Sequence, residues 1–441
     1  MKAKNLLLLV APMLLASCGG GSESYDPVSV SLDDSDASVS VSYSGGKKAI
    51  KILFHVDKST AEGKAYQRRI DAFNAVYKDV GLRAVPTFKS RNSGGTDYEL
   101  YLTSLQLDGS LHDIITFDAP NCASYADAGL LWDITSEVSA EEQSDFLSIN
   151  KYQNKIYGLP IQESSAGFFY NKKIFREAGI DVSGYTVEHP WTFDQFKEVC
   201  GKLKTYGTMP VDMRMDATGD EMGTYLLYSI IHAAGAQMVS SDGETAEGYL
   251  NSDASKRGFQ FLKDLVEAGY TSYNIGASDF VTGKTGMYLS SGWTIPELDS
   301  KYPQQFPDRD SWGLLPYPMD VRRASATGSW SYAITDNGTA DKTAAMELLK
   351  WMSSTNSCTT VTDATGMLPC RKSCNPDYQP GSPEKTLFDQ LAETGIERPV
   401  TVHYPQFTTA FSNIIYGLRN STVDAVVDKV TADLQKEFDR D

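Results

Sequence analysis

Tyr157-Gly158-Leu159-Pro160-Ile161-Gln162-Glu163, continuing through Phe168-Phe169-Tyr170-Asn171-Lys172, carries the clearest local instructions in the chain. A Gly-Leu-Pro turn feeds an apolar strand, and the strand stops at an Asn-Lys turn. A short helix then ends at Ala178-Gly179-Ile180, and Pro190-Trp191-Thr192 opens the next one. Thr192 and Gln195 have capping-box spacing: the threonine side chain accepts from the N3 amide while the glutamine reaches back. The helix they open buries Phe196, Val199 and Leu203.

Upstream, Ile50 to Phe54 reads as a buried strand. Tyr66, Ile70, Phe73 and Tyr77 follow at helical spacing, and Leu82 to Phe88 returns as a strand. Tyr98, Leu102 and Leu105 mark another helix, and Asp113-Ile114-Ile115-Thr116-Phe117 another strand. This β-α-β-α-β order predicts a mostly parallel sheet covered on both faces. Later helices carry Phe259, Leu262 and Leu265, then Leu348, Leu349 and Met352, then Val423, Val427, Val430 and Leu434. The ~390 residues beyond position 47 exceed a comfortable single core, so two domains are expected.

The first residues give a location. Lys2 and Lys4 precede an apolar run from Leu6 to Leu15, too short to span a bilayer of ~30 Å. Leu15-Ala16-Ser17-Cys18 looks like a bacterial lipobox. It predicts a signal peptide over 1–17, acylation of Cys18, and a lipid-anchored protein facing the extracytoplasmic side of the cell membrane. Several acyl chains anchor stably where one does not. Residues 18–47 are rich in Gly, Ser, Asp and Val without helical period and read as a flexible tether.

The formal net charge is −17, which argues against a nucleic-acid partner and disfavours an anionic ligand. Of six cysteines, five remain once Cys18 is acylated, so at least one thiol is left over outside the cytoplasm. Cys358, Cys370 and Cys374 cluster. A local disulfide is expected among them, Cys358 to Cys370; the alternative is a set of buried apolar thiols. No zinc-type Cys-x-x-Cys pairing, His-Glu-x-x-His, Gly-x-Ser-x-Gly elbow, Walker loop or dinucleotide fingerprint is present. No metal or cofactor is therefore expected, and the chain does not read as an enzyme. Glycosidase carboxylates leave no short motif, so a secreted glycoside hydrolase stays as an alternative.

The Gly158-Leu159-Pro160 segment, the Asn171-Lys172 turn and the Trp191-Thr192 helix start resemble the opening of the second lobe in family 1 extracellular solute-binding proteins. The resemblance runs from about residue 50 to the end. Gly283-Lys284 leading to Gly292-Trp293, and Gly328-Ser329-Trp330, are similar to two further segments of that family. The resemblance implies a two-lobed, maltose-binding-protein-like α/β fold (periplasmic-binding type II) with a hinge between lobes. Lobe I would hold 48–158 plus 319–373, and lobe II 159–318 plus 374–441. It also implies function: a monomer that captures a carbohydrate, an oligosaccharide above all, and delivers it to ABC-importer permease subunits. A polyol, a glycerophosphate-type ester or a peptide is the alternative ligand on the same fold.

Site residues follow from the same resemblance and from the rule that ligands of open α/β sheets gather at strand ends. Trp293 and Trp330 are the expected stacking aromatics, since sugars offer C–H patches to aromatic faces. Asp57 and Asp118 follow strands, Glu163 lies past the lobe crossing, and Tyr225 resembles a stacking tyrosine of the relatives. Arg398-Pro399 with Tyr404 resembles a late Arg-Pro segment whose arginine reaches the ligand. Trp132, Trp191 and Trp351 are expected in the core.

Overall fold

The computed structural model describes residues 32, 34–39, 41, 43–91, 97–216, 221–336 and 341–440. The expected signal peptide and Cys18 lie outside them. Two principal sheets organise the chain. The first has strand order β2-β1-β3-β11-β5-β4. It is built from β1 (Lys48–Phe54), β2 (Leu82–Phe88), β3 (Ile114–Asp118), β4 (Asn150–Tyr152), β5 (Lys155–Pro160) and, from much later, β11 (Trp330–Ile334). The second has order β7-β8-β6-β9, from β6 (Ala166–Asn171), β7 (Met209–Asp212), β8 (Thr285–Ser291) and β9 (Trp312–Leu315). A two-stranded pair, β10 (Ser325–Ala326) with β12 (Gly395–Ile396), completes the set.

The parallel character read from the sequence holds for β1, β2 and β3. Beyond β3 the sheet is antiparallel, because β11 enters from the other lobe rather than through a helical crossover. Its register runs from Trp330 opposite Asp118 to Ile334 opposite Ile114. The helix Ala61–Val76 packs on this sheet. Thr60 caps it, its Oγ1 accepting from Gly63 N at 3.0 Å, and Tyr66, Ile70 and Phe73 are fully buried. Gly63 lets the turn close: a Cβ there would sit 2.2 Å from the Asp57 carbonyl oxygen.

The second core gathers Phe168, Phe196, Leu203, Ile230, Phe259, Leu262 and Phe411. Both halves of the Thr192/Gln195 capping box are made, at 3.2 and 2.8 Å. Trp191 packs on Tyr185 and Phe196, and Trp351 donates its indole N–H to Arg69 O at 2.9 Å. Trp132 departs from the core reading: it is only half-buried, with Lys342 Nζ 5.6 Å from its ring. Residues 319–326, placed with the first lobe in the sequence reading, bury Ala324 and Ala326 in this second core.

Three segments run side by side between the sheets. Ile161 N donates to Trp330 O at 2.9 Å, and Glu163 and Leu368 exchange backbone bonds of 2.7 and 2.9 Å. Beyond the third crossing, Gln390 of the helix Pro383–Thr394 donates to Ala166 O at 2.7 Å and so rejoins the second sheet.

Part of the segment read as a tether is docked. Asp34–Ala37 forms a helical turn, and Asp36 makes a bidentate pair with Arg69 at 2.6 and 2.7 Å. Both side chains are buried. An arginine on a buried helix face demands such a partner, and here the carboxylate comes from outside the sheet.

Candidate functional site

A cleft of about 760 Å³ opens where the two sheets face each other. Strand ends supply the wall on the first-sheet side. His55 follows β1, Arg91 follows β2, Asp118 ends β3 and Trp330 begins β11. The opposite wall comes from Glu221 and Tyr225 on the helix Glu221–Ala233 and from Trp293, just past β8.

Trp330 and its surroundings form a rigid aromatic floor. His55 stacks on the indole with centroids 3.5 Å apart and an interplanar angle of 3°, and the Arg91 guanidinium carbon lies 4.7 Å from the ring centroid. Tyr98 meets the indole edge-on at 5.7 Å. Burial, helped by Arg91, drives the His55 pKa well below the usual histidine range, so this stack holds a neutral imidazole. Thr116 Oγ1 sits 3.0 Å from His55 Nδ1 and fixes the ring.

Across the cleft Arg398 joins the two sides. Its guanidinium holds Asp118 through two contacts of 3.0 and 3.1 Å, and Glu221 at 2.5 Å. Glu221 also accepts from the Tyr404 hydroxyl. The pair Asp118–Arg398 links residues 280 apart in sequence, and both side chains are about 5–6% exposed. Burial raises the Glu221 pKa while Arg398 opposes that rise. Gly328 makes room for this arginine: it takes φ +98°, and a Cβ would stand 3.2 Å from Arg398 Nη2.

The residues expected from sequence divide into two groups. Asp57, Asp118, Tyr225, Trp293, Trp330 and Arg398 all line the cleft. Asp57 is exposed and occupied by Ser59, whose amide and hydroxyl donate to it at 2.8 and 2.6 Å. Tyr225 lies 6.0 Å from Trp293, ring to ring, and its hydroxyl is 2.7 Å from Ser164 Oγ. Tyr404 is fully buried behind Glu221 and reaches the cleft through it. Glu163 faces a second, 230 Å³ cavity behind the crossing segments, where it accepts from Ser148.

Sequence reasoning missed His55, Glu62, Arg91 and Glu221. His55 and Arg91 stand at strand ends, so the rule that found Asp57 and Asp118 reaches them too. Glu221 opens a helix without a motif, and only the fold brings it to Arg398. Arg371 is buried against Asp145 at 2.8 Å, and neither it nor Lys58 lines the cleft. Cys358 and Cys370, expected as a disulfide, have sulfurs 3.4 Å apart and unbonded. Among the described residues no cluster of His, Cys, Asp or Glu could hold a metal ion.

Glu163 gives the molecule a pH dependence. Burial, with a smaller push from Glu397, raises its pKa to about 7 against the pull of Ser148. Burial raises Glu99 to about 7 as well. Both groups hold protons in the folded state that the unfolded chain releases, so stability is fullest below the ordinary carboxylate pKa and declines as pH rises towards neutrality. The melting temperature is expected to fall between about pH 5 and about pH 8, and Glu163→Gln should flatten that slope. A slope unchanged in the variant would remove Glu163 as its source.

A profile of the bacterial extracellular solute-binding proteins matches residues 69–386, well over half the chain, and the chain belongs to that family. The family is one of binding proteins rather than enzymes. A putative binding protein of Brucella abortus is 23% identical over 287 residues, covering 62% of this chain and 65% of that one. The multiple sugar-binding protein of Streptococcus mutans is 22% identical over 269 residues, covering 56% of this chain and 60% of its own length. The chain thus spans about 65% or less of these curated relatives. Among solved structures, a cyclic α-maltosyl-1,6-maltose binding protein from Arthrobacter globiformis superposes with a TM-score of 0.75. It is 21% identical, and the match covers 90% of this chain and 100% of that one. A solute-binding protein from Thermotoga lettingae, bound with α-D-tagatose, gives 0.73 at 18% identity, covering 89% and 100%. At these identities the likeness is one of fold, the two-lobed α/β architecture expected from the sequence.

Proposed function

We propose that this protein captures a neutral carbohydrate, an oligosaccharide above all, in the cleft between its lobes and passes it to the permease of an ABC importer. The lobes close on the ligand about the three crossing segments. Hinge motion of this kind needs only a few linking residues to absorb the rotation. Acylation at Cys18 holds the protein, as a monomer, at the outer face of the membrane. The Arthrobacter and Streptococcus proteins named above bind sugars, which favours this ligand class over a peptide or a phosphate ester.

The observation that carries the reading is how the cleft distributes its charge. Arg398 is committed to Asp118 and Glu221, and Lys301 to Glu297 at 2.5 Å. Asp57 and Glu62 add acid, while Arg91 has no ion-pair partner among the described residues. An anionic ligand entering here meets a carboxylate surplus. A polyhydroxylated neutral one finds acceptors, guanidinium donors and two aromatic walls. Trp293 is the more open aromatic, half-buried, since Trp330 is only 8% exposed under His55 and Tyr225 is buried beside Trp293.

Thermal-shift and calorimetric screens across neutral oligosaccharides, polyols, sugar phosphates and short peptides test the proposal. Stabilisation by neutral sugars without turnover supports it; stabilisation only by phosphorylated or peptide ligands overturns the ligand class. Trp293→Ala should weaken binding by about 1–3 kcal/mol, one to two decades in Kd, with folding retained. Trp191→Ala should cost stability and leave the affinity of the folded fraction alone, because that ring is buried in the second core. A Trp293→Ala protein that binds like the parent would displace Trp293 from the site.

A further inference from the structure

Cys358, Cys370 and Cys374 meet beside the third crossing. Cys358 lies on the helix Thr355–Thr365, Cys370 on the segment that pairs with Glu163 through Leu368, and Cys374 ends the turn Lys372–Cys374. Cys370 Sγ is 3.4 Å from Cys358 Sγ and 3.4 Å from Pro160 O, and the Cys370 amide points at Cys358 Sγ from 3.3 Å. Cys374 Sγ lies 3.8 Å from Thr355 O, at the start of the helix that carries Cys358, and its thiol interacts with Cys358. Cys358 and Cys370 are sealed, at 1% and 0% exposure, whereas Cys374 is half-buried. Cys358 is therefore a shared centre with one inner and one outer neighbour.

The segment between Cys358 and Cys370, the end of the helix Thr355–Thr365 and the turn after it, reaches the binding cleft. Ala364, Thr365 and Met367 line it. Gly366, at φ +72°, rests on the opposite lobe: a Cβ there would stand 2.6 Å from Gly292 O, next to Trp293. A covalent tie across the base of this segment would fix a wall of the cleft at the point where the two lobes touch.

We infer that these thiols form a disulfide relay in which Cys374 is the entry thiol and Cys358–Cys370 the resting bond, stapling the cleft segment 358–370. Family membership puts the protein outside the cytoplasm, where low-molecular-weight disulfides persist as oxidants. The Cys374 thiolate attacks such a disulfide, forming a mixed disulfide and releasing one small thiol. Cys358 attacks the Cys374 sulfur, expels the second small thiol and forms Cys358–Cys374. Cys370 then attacks Cys358 Sγ, and Cys374 leaves and regains a proton. The sum is two protein thiols oxidised by two electrons, one external disulfide reduced to two thiols, and the protons of Cys358 and Cys370 transferred to them. The inner pair is the end point because its sulfurs need to close by only ~1.4 Å to reach bonding distance. Closing this short loop also restricts the unfolded chain.

The inference does not rest on the sugar reading, and its primary test needs no ligand. The purified full chain is equilibrated with oxidised glutathione, alkylated and digested without reduction. Trypsin separates Cys370 from Cys374 after Arg371 and Lys372, and cleavage before Asp363 separates Cys358 from Cys370. The expected result is a Cys358–Cys370 linked peptide with Cys374 alkylated, and a melting temperature that drops by several degrees on reduction. Cys374→Ser should slow formation of that bond at least several-fold and leave the final pairing intact. Three alkylated cysteines, or a final Cys358–Cys374 bond, would overturn the inference. So would a Cys374→Ser protein that oxidises as fast as the parent. Because the pairing is read on the unmutated chain, a poorly folding variant cannot hide the answer.

Discussion

Arg398→Met is expected to lower the unfolding free energy by about 3–5 kcal/mol, the cost of leaving buried charges without their partner. The arginine holds Asp118 and Glu221 together in a site where the three side chains are 5, 6 and 15% exposed. Methionine keeps the aliphatic stem and removes the cation, so the two carboxylates face each other without a counter-charge. Glu221, whose pKa burial already raises, then loses the arginine that opposed that rise and resists ionisation more strongly. In the variant the folded state takes up a proton that the unfolded chain releases, so its stability deficit should shrink as pH falls towards the carboxylate range. In the parent Arg398 opposes the rise that burial imposes on Glu221, so the parent gains less such relief. Denaturant melts at several pH values check both statements. A deficit below about 1 kcal/mol would mean that solvent reaches the cluster and the pair is worth no more than a surface bridge. Ligand affinity should collapse as well, since Arg398 lines the cleft and ties its two walls together.

Asp36→Ala should cost a similar amount, about 3–5 kcal/mol, at a position far from the cleft. Arg69 is 3% exposed and sits on the buried face of the helix Ala61–Val76, over the ring of Trp351 at 4.7 Å. Asp36 supplies its bidentate partner, and Asn356 donates to the same carboxylate at 2.8 Å. Removing the carboxylate strands the guanidinium, with Ser357 Oγ at 2.8 Å left to receive one of its donors. The comparison variant Asp36→Ala/Arg69→Met removes both charges and should recover much of the loss, because an apolar replacement of a buried pair is often neutral. Chemical denaturation of the single and double variants decides. If the single variant melts like the parent, residues 34–37 are the loose tether that composition suggested.

Local sequence was sufficient for the elements with strong punctuation. The Thr192/Gln195 capping box and the period of Tyr66, Ile70 and Phe73 are short-range patterns, and short-range physics makes them. The Gly158-Leu159-Pro160 segment, read as a turn, is instead the end of β5, and the chain crosses only after Ile161 has bonded to Trp330 O. These signals, joined to the family segments around Trp293 and Trp330, gave the two-lobed class.

Only the tertiary structure decided what closes the site. Nothing near Trp330 in sequence indicates that its strand inserts beside β3, and that insertion is what sets Trp330 opposite Asp118. Nothing near Arg398 indicates that its partners are Asp118 and Glu221, 280 and 177 residues away. Asp36 reads as tether by composition, yet it is held because a buried arginine on another element lacks a counter-charge. Periodicity and capping are properties of neighbours along the chain and can be read there. Charge compensation, ring stacking and strand insertion are set by which surfaces the fold removes from water together, and that is fixed only once the whole chain has packed.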